Sequence, residues 1–299
     1  MAEVLKKETL FNPEIVSDLI NKVKGESVLA KLTNQEAIPF NGNEYFTFDF
    51  ENEIDIVGES GAKSHGGIKI EPVTVIPLKV EYGARVSDEF MYASEEKQLE
   101  ILRQFNEGYA KKLAKGLDIM AFSGTNPRTK TKSDIINGNS FAEKVTQTVS
   151  FDAAKADDVL EDATQLVAGA DGEVSGAALS IIYGGALAKI ENGVGVAMYP
   201  EFKFGGNPGA IGALPVEVSK NVSINSKLEG VVGDFKNMFR YGITKQIPLT
   251  VIPYGDPDNT GRDLAGHNEV YLRAETYLGW GILDADSFAK IEKADETTE

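Results

Sequence analysis

Apolar positions along this chain change their period several times, and each change marks an element. Asn12, Pro13 and Glu14 read as a helix start: an amide side chain at the N-cap, a proline where no backbone N–H is needed, and an acid in the first turn. Ile15, Val16, Leu19, Ile20 and Val23 then keep a helical rhythm, which Gly25 interrupts before Val28, Leu29 and Leu32. The pattern predicts a short amphipathic arm over residues 1–36. Its apolar face, with Phe11, Ile15 and Leu19, is free to cover something outside its own domain.

From Tyr45 to Phe50 the period drops to two, with Phe46, Phe48 and Phe50 alternating against Tyr45, Thr47 and Asp49, which is a strand. A second extended run rich in β-branched residues goes from Ile68 to Val86. The segment Gly58 to Gly67 between them is a turn-forming tip, so a long hairpin is expected over 45–86. A two-stranded ribbon is marginal in water on its own, and one this long needs a cover. Glu51, Glu53, Asp55 and Glu59 on its acidic strand, with Lys63, His65 and Lys69 at and beside the tip, are the candidate contacts with a neighbour. A solvated surface hairpin would account for the same residues.

Ser94 precedes Glu95 and Glu96, and Leu99, Leu102, Phe105, Tyr109, Leu113, Leu117 and Met120 then step by threes and fours up to Gly124. This is one helix over 94–123, roughly 40 Å long at the usual rise. Its stripe is not a strict heptad, which makes a structural spine the better reading than a coiled coil. A polar stretch follows, and the composition shifts again near Ser150. Beyond it the pattern gives a helix over Asp157–Ala168, a strand at Leu179–Tyr183, a helix from Gly185 to Glu191, and short strands at Leu214–Val218, Val231–Phe235, Phe239–Ile243 and Ile247–Ile252. A long strand at Asn268–Trp280, a short element at Asp284–Ile291 and an acidic tail complete the chain. Helices and strands mix without a βαβ rhythm, so the fold class is α+β.

Charge and chemistry narrow the function. The chain has 30 Lys and Arg against 46 Asp and Glu, a net charge of −16, which argues against a phosphate-binding surface over the whole protein. It has no cysteine, so disulfides and thiolate chemistry are excluded. Its two histidines, His65 and His267, stand far apart without neighbouring ligands for a transition metal, and no Gly-x-Ser-x-Gly elbow is present. Gly205 to Gly212 matches neither a dinucleotide fingerprint nor a phosphate loop. Asp256-Pro257-Asp258-Asn259-Thr260-Gly261 begins like a calcium loop, but its fifth position is Thr260 and its twelfth is His267, where a bidentate Glu is required. No catalytic, cofactor-binding or metal-binding residue is assigned. No apolar segment long enough to cross a membrane, and no secretory signal, is found.

The order of these elements resembles the tailed-phage major capsid proteins of the Hong Kong 97 type. The resemblance rests on the long hairpin, the helix ending Leu117-Asp118-Ile119-Met120-Ala121-Phe122-Ser123-Gly124, the Gly212–Ser219 segment, Val232-Gly233-Asp234-Phe235, and Tyr271-Leu272-Arg273-Ala274-Glu275 followed by Asp286–Ile291. It implies an N-terminal arm (1–36), a peripheral domain in two parts (37–150 and 246–281) with an extended loop at 45–86 and a spine helix at 94–123, an axial domain (151–245), and a C-terminal element and tail (282–299). It further implies a virion protein, made in the host cytoplasm, whose hexamers and pentamers tile an icosahedral shell around double-stranded DNA contacted weakly and without sequence preference. Separate scaffolding and portal proteins are the other partners the resemblance implies, and with fewer than about 40 residues before the first strand the expectation is a separate scaffold or none. The resemblance leaves an encapsulin shell as an alternative; a soluble enzyme with an unrecognised carboxylate site and a tail or decoration protein are more distant ones.

Overall fold

A computed structural model describes Val23 and residues 26–50, 52–243 and 249–294. Phe11, Ile15, Leu19, the helix expected from Asn12, Glu51 and the tail from Asp295 lie outside the described residues. The described helices are α1 (Val28–Leu32), α2 (Glu89–Tyr92), α3 (Glu95–Ser123), α4 (Phe141–Lys144), α5 (Ala156–Gly169), α6 (Ile181–Leu187) and α7 (Phe235–Met238). The strands are β1 (Asn43–Phe50), β2 (Ile68–Val75), β3 (Leu78–Ser87), β4 (Thr148–Phe151), β5 (Gly176–Leu179), β6 (Ala210–Ile211), β7 (Leu214–Val218), β8 (Leu228–Gly233), β9 (Phe239–Ile243), β10 (Leu249–Ile252), β11 (Glu269–Ile282) and β12 (Phe288–Lys293).

The strands form a four-stranded sheet, a six-stranded sheet and a two-stranded ribbon, an α+β arrangement. The first sheet is organised by β11, which pairs antiparallel with β3 on one edge and with β10 and then β9 on the other. Val270, Leu272, Ala274 and Leu278 alternate onto one face of β11 and are buried there with Leu102, Tyr109, Leu113 and Leu117 of α3. Tyr109 Oη donates to Thr276 Oγ1 at 2.7 Å inside this contact, so the tyrosine adds a satisfied polar group to the core. Helix α3 stops because Gly124 takes a left-handed φ of 69°, from which its N–H reaches Met120 O at 3.0 Å.

The six-stranded sheet runs β4-β12-β8-β5-β7-β6 and is apolar on both faces. Ala178, Val231 and Phe288 point into the core shared with α3, whereas Ala177, Leu179, Val216, Val232, Ala289 and Ile291 point into a second core under α5 and α6. One ring joins the parts on the first side. Phe141 of α4 lies 5.1–5.7 Å, centroid to centroid, from Phe122, Phe235, Phe239 and Phe288.

Several expectations need correction. The second run of the hairpin is two strands: Pro77 has no N–H to continue a ladder, and β3 crosses to pair with β11. The free ribbon is therefore β1 with β2 alone. Ile181–Tyr183 opens helix α6 instead of ending a strand, because Ser180 Oγ accepts Tyr183 N–H at 3.0 Å as an N-cap. Strand β9, placed with residues 151–245, joins the first sheet through β11, and the 282–299 element supplies β12, an inner strand of the six-stranded sheet. Short apolar runs announce strands without naming their partners, so these pairings were not legible in sequence order.

Candidate shell-forming surface

The ribbon is built from eight residue pairs, from Asn43 opposite Val75 to Phe50 opposite Ile68, and no other described strand pairs with it. Its root is fastened to the first sheet. Val75 is buried against Gly281 of β11, where even a Cβ would stand 2.4 Å from Val75 Cγ2, so only glycine admits this approach. Tyr45 Oη donates to Glu36 Oε2 at 2.8 Å, and Glu36 Oε1 is paired with Arg240 Nε at 2.8 Å.

Away from the root the ribbon loses cover. Phe46, Ile68 and Ile70 share one face and are each more than half exposed. Residues 52–67 form no strand or helix, and Ile54 and Ile56 within them are both 96% exposed. Fully burying a side chain of this size is worth about 1.5–3 kcal/mol, so the ribbon carries a large unrealised stabilisation. Apolar exposure concentrated on one projecting element marks an interaction surface.

Of the residues singled out from sequence, Glu53, Asp55, Glu59, Lys63 and His65 all lie on this projecting segment and are exposed. Lys69 is exposed on β2. Sequence reasoning picked the charges and missed Ile54, Ile56 and Val57, whose signal was their interleaving with carboxylates in a segment free of any helical period.

Two further devices hold the frame from which the ribbon projects. Asp118 of α3 is fully buried, and its oxygens accept from Ser27 Oγ (2.6 Å), Val28 N (3.2 Å), Leu29 N (3.3 Å) and Asn221 Nδ2 (2.9 Å). Helix α1, all buried but for Lys31, is thereby pinned between α3 and the six-stranded sheet. Burial pushes the Asp118 carboxyl up to about 6, against the pull of these hydrogen bonds. Secondly, the loop that begins like a calcium site closes on a guanidinium. Arg85 of β3 donates to both oxygens of Asp258, to Asp256 Oδ1 (2.9 Å), to Thr260 Oγ1 (2.7 Å), to Arg262 O (2.8 Å) and to Glu269 Oε2 (3.0 Å). Arg85 holds the Asp258 carboxyl well below the usual carboxylate range. Among the described residues no three His, Cys, Asp or Glu side chains are grouped to hold a metal.

The phage capsid family matches residues 8–293. The chain belongs to that family. A capsid-family member is a structural shell protein of the virion and not an enzyme. It is similar to a solved structure from Mycobacterium phage Ogopogo, with 31% identity over 90% of this chain and 92% of that one, at a TM-score of 0.76. A structure from Gordonia phage Cozz is 21% identical over 91% of this chain and 87% of that one, at a TM-score of 0.72. The fold also matches a structure titled "Capsid of empty GTA particle computed with C5 symmetry", 14% identical over 90% of each chain, at a TM-score of 0.63. No curated protein sequence matches the chain. The family is one of phage capsids, which takes the support from an encapsulin reading.

Proposed function

We propose that copies of this chain assemble as hexamers and pentamers into an icosahedral shell around double-stranded DNA, each ribbon lying across an adjacent copy. The observation that carries this reading is the projecting β1–β2 hairpin, whose Ile54 and Ile56 are 96% exposed while its root is locked to β11. A ribbon anchored at one end and apolar at the other recovers the missing burial only on a second molecule. Contacts of this kind are modest singly and add through repetition in a closed lattice. A scaffolding protein and a portal are the further partners this reading calls for, with assembly in the host cytoplasm. Weak, sequence-independent contact with the DNA fits the net charge of −16.

Electron microscopy of the concentrated protein tests it. Closed shells are expected from the native chain, and an Ile54→Ser/Ile56→Ser variant should keep its melting temperature yet stay unassembled, since both side chains are already in water in the single copy. Single copies at every concentration, or normal shells from the variant, would overturn the reading.

A further inference from the structure

Helix α3 changes its charge half-way along. Its first half carries Glu95, Glu96, Glu100 and Glu107 against Lys97 and Arg103, whereas residues 111–132 hold six cations, Lys111, Lys112, Lys115, Arg128, Lys130 and Lys132, against one acid, the buried Asp118. The two cationic stretches make one surface. After Gly124 the chain folds back: Thr125 is bridged to Lys132, Asn126 N donates to Thr131 O at 2.8 Å, and Lys130 takes a left-handed φ of 61°. Pro127 Cγ then lies 3.8 Å from where a Cβ on Gly116 would stand, which sets the turn against the helix beside Lys115.

All six cations except the half-buried Lys115 are exposed, and among the described ion pairs only Lys132 has a partner, Glu143 at 2.8 Å. The hydroxyls of Thr129 and Thr131 share the turn's surface. Between residues 102 and 134 no large apolar side chain is exposed among the described residues. In a chain of net charge −16 such a patch creates a local positive field where the rest of the surface repels anions.

We propose that this surface, the α3 segment from Lys111 together with the 125–132 turn, is where the shell touches the phosphate backbone of enclosed duplex DNA, without reading its sequence. This rests on the shell reading above and deepens it by placing the contact. The competing occupant is the acidic ribbon of another copy, but there Glu53 and Asp55 are interleaved with Ile54, Ile56 and Val57, which need an apolar bed, and the exposed apolar side chain nearest in sequence to the patch is the single Ile135. Five flexible lysines and a single arginine suit a contact that must accept any sequence and be salt-labile.

Binding of a random-sequence duplex to the purified full chain, followed by fluorescence anisotropy between about 50 and 200 mM salt, tests the proposal. A Lys112→Gln/Arg128→Gln/Lys130→Gln variant is expected to flatten the slope of log K against log salt by about 2.7, at roughly 0.9 per lost phosphate contact. A Lys97→Gln/Lys155→Gln/Lys189→Gln variant, removing equal charge elsewhere, should leave the slope as it is. An unchanged slope in the first variant, or no salt-dependent binding by the native chain, overturns the proposal. Loss of shells with an unchanged slope also overturns it, making the patch a contact between copies. Particle formation scored in parallel by electron microscopy separates these outcomes from failure of the shell reading itself, in which no particles form from the native chain.

Discussion

The carboxylate of Asp118 accepts the hydroxyl of Ser27 at 2.6 Å across 91 residues of sequence, and in doing so ties the arm to the long helix. Four donors converge on this one side chain. Asp118→Ala strands them in a buried site, where each unmet donor costs about 1–3 kcal/mol, so a loss of at least ~3 kcal/mol is expected in urea unfolding of the unassembled chain. Amide exchange at Val28 and Leu29 should quicken in the same variant, because those two N–H groups lose their acceptor.

The same group gives a pH dependence of definite sign. Its carboxyl stands at about 6 in the folded chain against an ordinary 3.8, so the folded form binds the proton more tightly. The associated stabilisation is fully present below about 3.8 and is lost as pH rises through about 6, a change on the order of 2–3 kcal/mol at most. Asp118→Asn, which cannot titrate, should remove this part of the curve. Unfolding free energies of the two proteins measured from acid to neutral pH should therefore differ by a pH-dependent amount, and a constant difference would count against the assignment.

Gly281 and Val75 make a reciprocal prediction. A Cβ at 281 would stand 2.4 Å from Val75 Cγ2, so Gly281→Ala forces the ribbon root off β11 at a cost of about 1–3 kcal/mol. Val75→Ala vacates the colliding methyl, and the double variant should be less destabilised than the sum of the two single ones. A double-mutant cycle on thermal unfolding measures that coupling.

Arg85 gathers Asp256, Asp258 and Glu269 around one cation. Replacing it with Gln leaves Asp256 and Asp258 without their cation among the described ion pairs, and Glu269 with Arg262 as its remaining counter-charge. The loop between β10 and β11 should then open more readily, and limited proteolysis within residues 253–268 should run roughly tenfold faster than in the native chain. Unfolding monitored by the whole-chain far-ultraviolet signal should move much less.

Local pattern revealed the long helix, the ribbon's first strand and the long β11 strand, because each carries a sustained period that one backbone conformation satisfies. Gly124 at the end of α3 and the alternation of β11 were legible for that reason. Partner choice was not. Nothing local in Phe239–Ile243 states that it pairs with β11, and nothing in Phe288–Lys293 states that it sits between β4 and β8. Ser180 was absorbed into a strand because the apolar run Ile181-Ile182 beside it fits either conformation, and only the hydroxyl acting as a cap decides. Asp118 lay inside a quoted motif without a role, since its partners Ser27 and Asn221 are about a hundred residues away on either side. At the surface the charged residues of the ribbon were named, whereas the aliphatic ones between them, the stronger indicators of contact, were overlooked.

The placement of β12 has a consequence for how copies are made. This strand emerges from the ribosome after every strand it joins, and until it arrives β4 and β8 have an open gap between them, while Phe141 lacks Phe288 as a neighbour. Translation interrupted before residue 288 therefore yields a polypeptide with unzipped edges, a target for proteolysis. Completion of the six-stranded sheet is thus tied to the last strand synthesised, and a chain cut short of it is expected to be cleared more readily than the full one.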